Sequence, residues 1–124
     1  MRLSEAIRWG ARRAPQARHR LHDRRTGATC ALGAAAAALG AWEDDLPIDR
    51  RSVRVRLREL FPVLRATLRP GCETVEQAIA GLNDRSGWTR EQIARRVAEW
   101  ERALGFAAAA PAKPAPPRGK ARAA

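Results

Sequence analysis

Two patterns in this 124-residue chain bring together side chains that could do chemistry. The first is Cys30 with His19 and His22, which could be drawn as a thiol–imidazole pair. A thiol in the first turn of a helix feels the dipole that lowers its pKa. Both histidines, however, fall in a turn-rich, arginine-rich stretch, and cysteine is a common small buried residue. Cys30 therefore reads as a structural core residue, and we expect no catalytic residue and no enzyme activity. Cys72 would complete a set of four metal ligands, but the spacing matches no known ligand pattern, so neither metal nor cofactor is expected. Asn83-Asp84-Arg85-Ser86-Gly87 lacks the alternating carboxylates and closing glutamate of a calcium loop, and reads as a turn in which Gly87 supplies a positive φ.

The second pattern is the arginine block Arg50, Arg51, Arg54, Arg56 and Arg58. On a helix, Arg50, Arg54 and Arg58 fall on one side at i, i+4 and i+8, spaced to touch successive phosphates. Their mutual repulsion is a stability cost that a bound polyanion would relieve. The competing reading is a solvated face partly neutralised by the acids of 43–49. The formal net charge is +11, unevenly distributed. Residues 1–25 carry a net +6, residues 26–49 a net −4, residues 50–69 a net +6, residues 70–106 about −1, and the tail from Ala107 a net +4. Arginine supplies 22 of the 24 cations, and it favours bidentate contacts to phosphate or carboxylate. A GC-rich coding sequence would produce the same Arg-to-Lys ratio, but it explains the excess positive charge less well. The candidate phosphate contacts are Arg12, Arg13, Arg24, Arg25, Arg50, Arg51, Arg54 and Arg58, with Lys113, Arg118 and Lys120 in the tail.

Helices must position these groups. Ser4 reads as the N-cap of a first helix, with Leu3, Ala6, Ile7, Gly10 and Ala11 on one stripe, Trp9 off it, and Pro15 as the stop. Thr29 reads as the cap of a second helix, Cys30 to Leu39, closed by Gly40. Gly33, Ala34 and Ala37 there would allow close approach of another helix. Residues 52–60 alternate like a strand, with Val53, Val55 and Leu57 between arginines, but Val53, Leu57, Leu60, Phe61 and Leu64 also fit one stripe of a helix, with only Val55 misplaced. A lone strand would have no partner, so we read a helix ending or bending near Pro62. Thr74 with Gln77 predicts a capping box opening a helix Val75 to Leu82. Thr89 with Gln92 predicts another, stapled by Trp88 and Ile93, for a last helix with Ile93, Val97, Trp100 and Leu104 on one face. Thr89 to Arg96 is similar to the first helix of a helix-turn-helix, but Val97 to Arg102 continues the helix where a turn is required.

The expected fold is all-α: a single domain over residues 1–106, with four to five short helices ending in a helical hairpin. Residues 107–124 contain only Ala, Pro, Lys, Arg, Gly and cannot bury anything, which predicts a disordered basic tail. The longest apolar run, Cys30 to Trp42, is too short to span a bilayer, and no apolar leader follows Met1. We therefore expect no membrane partner and a cytoplasmic protein with reduced thiols.

Three stretches carry a resemblance: Leu3-Ser4-Glu5-Ala6-Ile7-Arg8, Thr29-Cys30-Ala31-Leu32-Gly33-Ala34-Ala35, and Leu82-Asn83-Asp84 through Trp88-Thr89-Arg90-Glu91-Gln92-Ile93-Ala94. In this order they resemble a family of small uncharacterised proteins of bacteria and their phages. That resemblance implies a fold and a phage or prophage setting, but no activity. Typical members carry a Cys-Pro-x-Cys and a His-Leu-Asn-Asp-x-His, which would suit a structural zinc. Here Cys72 remains without a second cysteine, while Gly81 and Ser86 stand at the histidine positions. The expected function is association with DNA or RNA through arginine clusters, with little sequence specificity. The alternative is a protein-binding adaptor or inhibitor acting on a host or phage protein, its interface formed by Trp9, Trp42 and the acidic patch.

Overall fold

The computed structural model describes residues 1–42, 49–69, 71 and 73–106. The fold is all-α. In chain order it contains α1 (Leu3–Ala11), α2 (Ala31–Ala38), α3 (Arg50–Leu60), a 3₁₀ turn (Pro62–Arg65), α4 (Val75–Asp84) and α5 (Arg90–Ala103). Among the described residues the only β pairings are isolated bridges, two of them joining Gln16 and His22 to Thr29. The predicted tail, 107–124, and the acids at 43–45 lie outside the described residues.

The central element is α1, which packs most extensively on α2 and next on α5. Of its expected stripe, Leu3, Ala6, Ile7 and Gly10 are buried and Ala11 is half-buried. Ser4 is not a cap. The N-cap position is Arg2, without a side-chain bond, and the buried Ser4 hydroxyl instead donates to the buried Glu101 carboxylate at 2.5 Å. Thr29 departs from expectation in the same way. The cap of α2 is Cys30, whose sulfur accepts from Gly33 N at 3.4 Å, while the Thr29 hydroxyl accepts from Arg90. With α2 composed almost entirely of alanine and glycine, its contact with α1 is a close backbone approach.

Residues 52–60 form a helix, not a strand. Asp49 caps α3, its carboxylate accepting from Arg51 N. Val53 and Leu57 face the core, and Val55, the residue that did not fit the helical stripe, is exposed. Pro62 ends α3, and the chain tightens into the 3₁₀ turn that buries Val63 and Leu64. This change of period leaves Leu60 exposed, although the helical stripe placed it inward. Both predicted capping boxes are complete, at Thr74/Gln77 and at Thr89/Gln92. The fourth helix runs two residues further than expected, so Asn83 and Asp84 belong to its last turn. Gly87 has φ of +71°. Ile93 and Val97 are fully buried, whereas Trp100 and Leu104 are only half-buried at the edge of the core.

Candidate anion-binding cleft

The segment between α1 and α2 is irregular, yet it is pinned at many points. The buried Asn83 amide is the hub. Its oxygen accepts from Gln16 Nε2 at 2.9 Å and Ala31 N at 3.3 Å, and its nitrogen donates to Ala17 O at 3.0 Å and Asp84 Oδ1 at 2.8 Å. Arg18 donates to the Asn83 carbonyl. His19 N donates to Asp84 Oδ1 at 2.8 Å, and this holds His19 at φ +63°, a left-handed conformation uncommon for a residue with a Cβ. Asn83 and Asp84 thus lace residues 16–19 to the end of α4.

This lacing makes a cleft. His19 and Arg20 form one side, Arg50 and Arg54 of α3 the other, and Asp84 closes the end of α4. The floor includes Leu21, Cys30 and Ile79, and the enclosed volume is about 80 Å³. Two basic blocks separated in sequence by the acidic stretch therefore meet in space. The Asp84 carboxylate already accepts two hydrogen bonds, and His19 Nδ1 lies 3.9 Å from it. Cys30 supplies no nucleophile there, since burial pushes its thiol up from the ordinary value and keeps it protonated. His22 is held below the ordinary histidine value by burial, and its ring stacks on Trp42 at 4.6 Å between centroids. It is therefore packed away from His19, and among the described residues no three His, Cys, Asp or Glu groups cluster to hold a metal.

The other predicted cations divide into free and engaged groups. Arg12, Arg24, Arg25 and Arg51 are exposed. Arg13 lies 3.5 Å over the Trp9 ring and donates to Trp9 O, so the off-stripe indole is covered by its own helix. The expected row Arg50–Arg54–Arg58 is not an open face. Arg58 grips Glu76 of α4 in a two-pronged contact at 2.6 and 2.9 Å, and Arg54 reaches the same carboxylate at 3.1 Å. The neutralising acid is thus Glu76, which the sequence reading did not assign to this role. It sits in the first turn of α4, where an acid is already explained by the helix dipole. The hydrogen bond from Arg58 draws the Glu76 carboxyl below its ordinary range, against the opposing effect of burial. Lys113, Arg118 and Lys120 lie outside the described residues.

Arg50 and Arg51 open α3 with no acid in its first turn apart from the cap. Cations there oppose the helix dipole at a cost of about 0.3–1 kcal/mol each. A bound anion would offset that cost.

Trp42, the other indole of the expected protein interface, is half-buried and donates to Gly33 O at 2.9 Å. A separate open groove of about 490 Å³ lies between α4 and α5. Leu82, Trp100 and Leu104 line it, with Arg69, Arg85 and Arg96 at its edges. Among the described residues no helix is long and apolar enough to cross a membrane. Compared with known proteins, the chain matches no family model, and no curated protein or solved structure is significantly similar to it.

Proposed function

We propose that this is a small accessory protein that associates with nucleic acid through phosphate contacts, with little preference for sequence. The setting we favour is phage or prophage, as the three quoted motifs suggest. The observation that carries the reading is the meeting of Arg20 with Arg50 and Arg54 at one cleft, beside an α3 whose first turn carries two cations against the one carboxylate of the Asp49 cap. Such sites act through counterion release, which reads phosphate and not base.

The test is a fluorescence titration with duplex and single-stranded oligonucleotides at about 50 and 200 mM salt. Dissociation constants should be micromolar or weaker at physiological salt, and the log–log slope should be about −0.9 per duplex phosphate neutralised. Replacing Arg50, Arg54 and Arg58 together by glutamine should flatten that slope by about 2 units, because Glu76 cancels one of the three charges. Absence of binding even at low salt would overturn the reading in favour of a protein-binding adaptor. The specific observation on that side is the groove between α4 and α5, where Leu82, Trp100 and Leu104 lie among charged residues.

Glu76→Gln separates the two roles of the arginines. It releases Arg54 and Arg58, so the salt slope should steepen by about 0.9 while stability falls. The pH dependence follows from the sign of the shift. Because the folded Glu76 pKa lies below the unfolded value, its stabilisation is complete above the ordinary carboxylate range. It is lost as pH falls through the depressed folded value. Acid titrations of stability should therefore show a smaller loss in Glu76→Gln than in the parent protein, and equal losses would exclude the ion pair as a source of acid sensitivity.

A further inference from the structure

The cleft between His19–Arg20 and the start of α3 differs from an open phosphate-tracking face in three respects. It is small, about 80 Å³. Its floor is blind, closed by Leu21, Cys30 and Ile79, of which Leu21 and Ile79 are essentially inaccessible. And its cations come from two segments distant in sequence, the irregular stretch before α2 and the start of α3, which line the same cleft. An internal phosphodiester continues into chain on both sides and runs across such a mouth without entering it. A phosphate with a single ester link, or none, can enter and leave its substituent outside.

We propose that this cleft is a pocket for one phosphate monoester, such as the terminal phosphate of a polynucleotide strand; the polymer part of this assignment rests on the nucleic-acid reading above, and the pocket itself does not. Three arginines line the cleft against the single carboxylate of Asp84, which keeps its charge while accepting from His19 N and Asn83 Nδ2. Arg20 also lies 3.9 Å from Asp23 and Arg54 shares its charge with Glu76, so among the described residues Arg50 is the lining arginine with no acid partner. A phosphate monoester carries −1.5 to −2 at neutral pH and has three strong acceptor oxygens, against about −1 for a diester link. The arginines are placed without flexible loops: Arg50 and Arg54 stand on a capped helix, and Arg20 follows a residue locked by Asp84.

The experiment uses the full chain and four probes: inorganic phosphate, and one oligonucleotide sequence with a 5′-hydroxyl, a 5′-phosphate or a 3′-phosphate. A phosphorylated strand should bind roughly tenfold tighter than the hydroxyl strand, the effect expected of one or two added charge-assisted hydrogen bonds. Inorganic phosphate should compete that advantage away at constant ionic strength. Arg20→Gln and Arg50→Gln should each weaken both strands but bring their ratio to within about twofold. Both residues are exposed, and unchanged circular dichroism would show that the fold is intact. Equal binding of all three strands, with no response to inorganic phosphate, would overturn the pocket and leave the nucleic-acid reading standing. Phosphate binding that depends on Arg50, with no strand bound, would sustain the pocket for a free phosphate monoester and overturn the nucleic-acid reading.

Discussion

Gly10→Ala should destabilise the molecule severely. A Cβ at Gly10 would lie 1.9 Å from the carbonyl oxygen of Ala34 and 2.6 Å from its Cα. Both atoms are backbone, so no side chain can swing aside, and α1 and α2 must separate. Helix propensity works the other way, since alanine is better than glycine by about 0.8–1.0 kcal/mol in a helix interior. Overpacking usually costs about 1–3 kcal/mol and more where backbone must move. We expect a net loss of at least about 3 kcal/mol, large against the 5–15 kcal/mol that holds a small domain together. The melting temperature should fall by roughly 12 °C or more. Adding Ala34→Gly should not rescue it, because the obstacle is a carbonyl and not a methyl. A rise in melting temperature would mean that the helices are not in backbone contact. Gly33→Ala tests the same feature beside the cleft, where a Cβ would meet Leu21 O at 1.8 Å.

The close approach of a helix at Ala34 was legible in the sequence because a run of small residues in a helix has few other uses; at Gly33 the backbone that approaches is Leu21 of the irregular segment and not a helix. Local rules were equally readable. Both capping boxes are written within four residues, and both are present. Ser4 and Thr29 were misread for the same underlying reason. A hydroxyl before an apolar run has the form of a cap, and only the fold reveals that Glu101, 97 residues away, and Arg90, 61 residues away, claim them. The arginine row failed at the next level. Spacing correctly put Arg54 and Arg58 on one side of a helix, but spacing cannot report that α4 lies against that side with Glu76. The cleft was not legible at all, since it depends on His19 adopting a left-handed conformation that Asp84 enforces from α4.

Arg90 shows how much stability such long-range claims can carry. It is the first residue of α5, a place where arginine is mostly exposed, yet it is only 8% accessible. Its Nη1 donates to Thr29 Oγ1 at 2.9 Å, Pro15 O at 3.2 Å and Thr29 O at 3.3 Å. Its Nη2 donates to Ala14 O at 2.5 Å and Ala11 O at 3.2 Å. The partners are carbonyls and a hydroxyl, so this is a buried guanidinium that closes the C-terminal end of α1 and ties Thr29 to it. Burial draws its pKa down from the ordinary arginine value, and the guanidinium remains charged because that value lies so far above neutrality. Arg90→Ala strands several of these acceptors at once. At about 1–3 kcal/mol for each buried polar group left unpaired, the loss should reach about 3 kcal/mol or more. Arg90→Lys keeps the charge but not the fork, and a single ammonium cannot span acceptors on both sides, so it should recover less than half. Urea midpoints will give both numbers, and hydrogen exchange should locate the opening at residues 14–29. That segment carries His19 and Arg20, so the cleft should lose its phosphate preference before the core of α1 and α5 melts. If Arg90→Lys matched the parent protein, positive charge at the end of α1 would be sufficient, and the fork geometry would not be what holds the cleft wall in place.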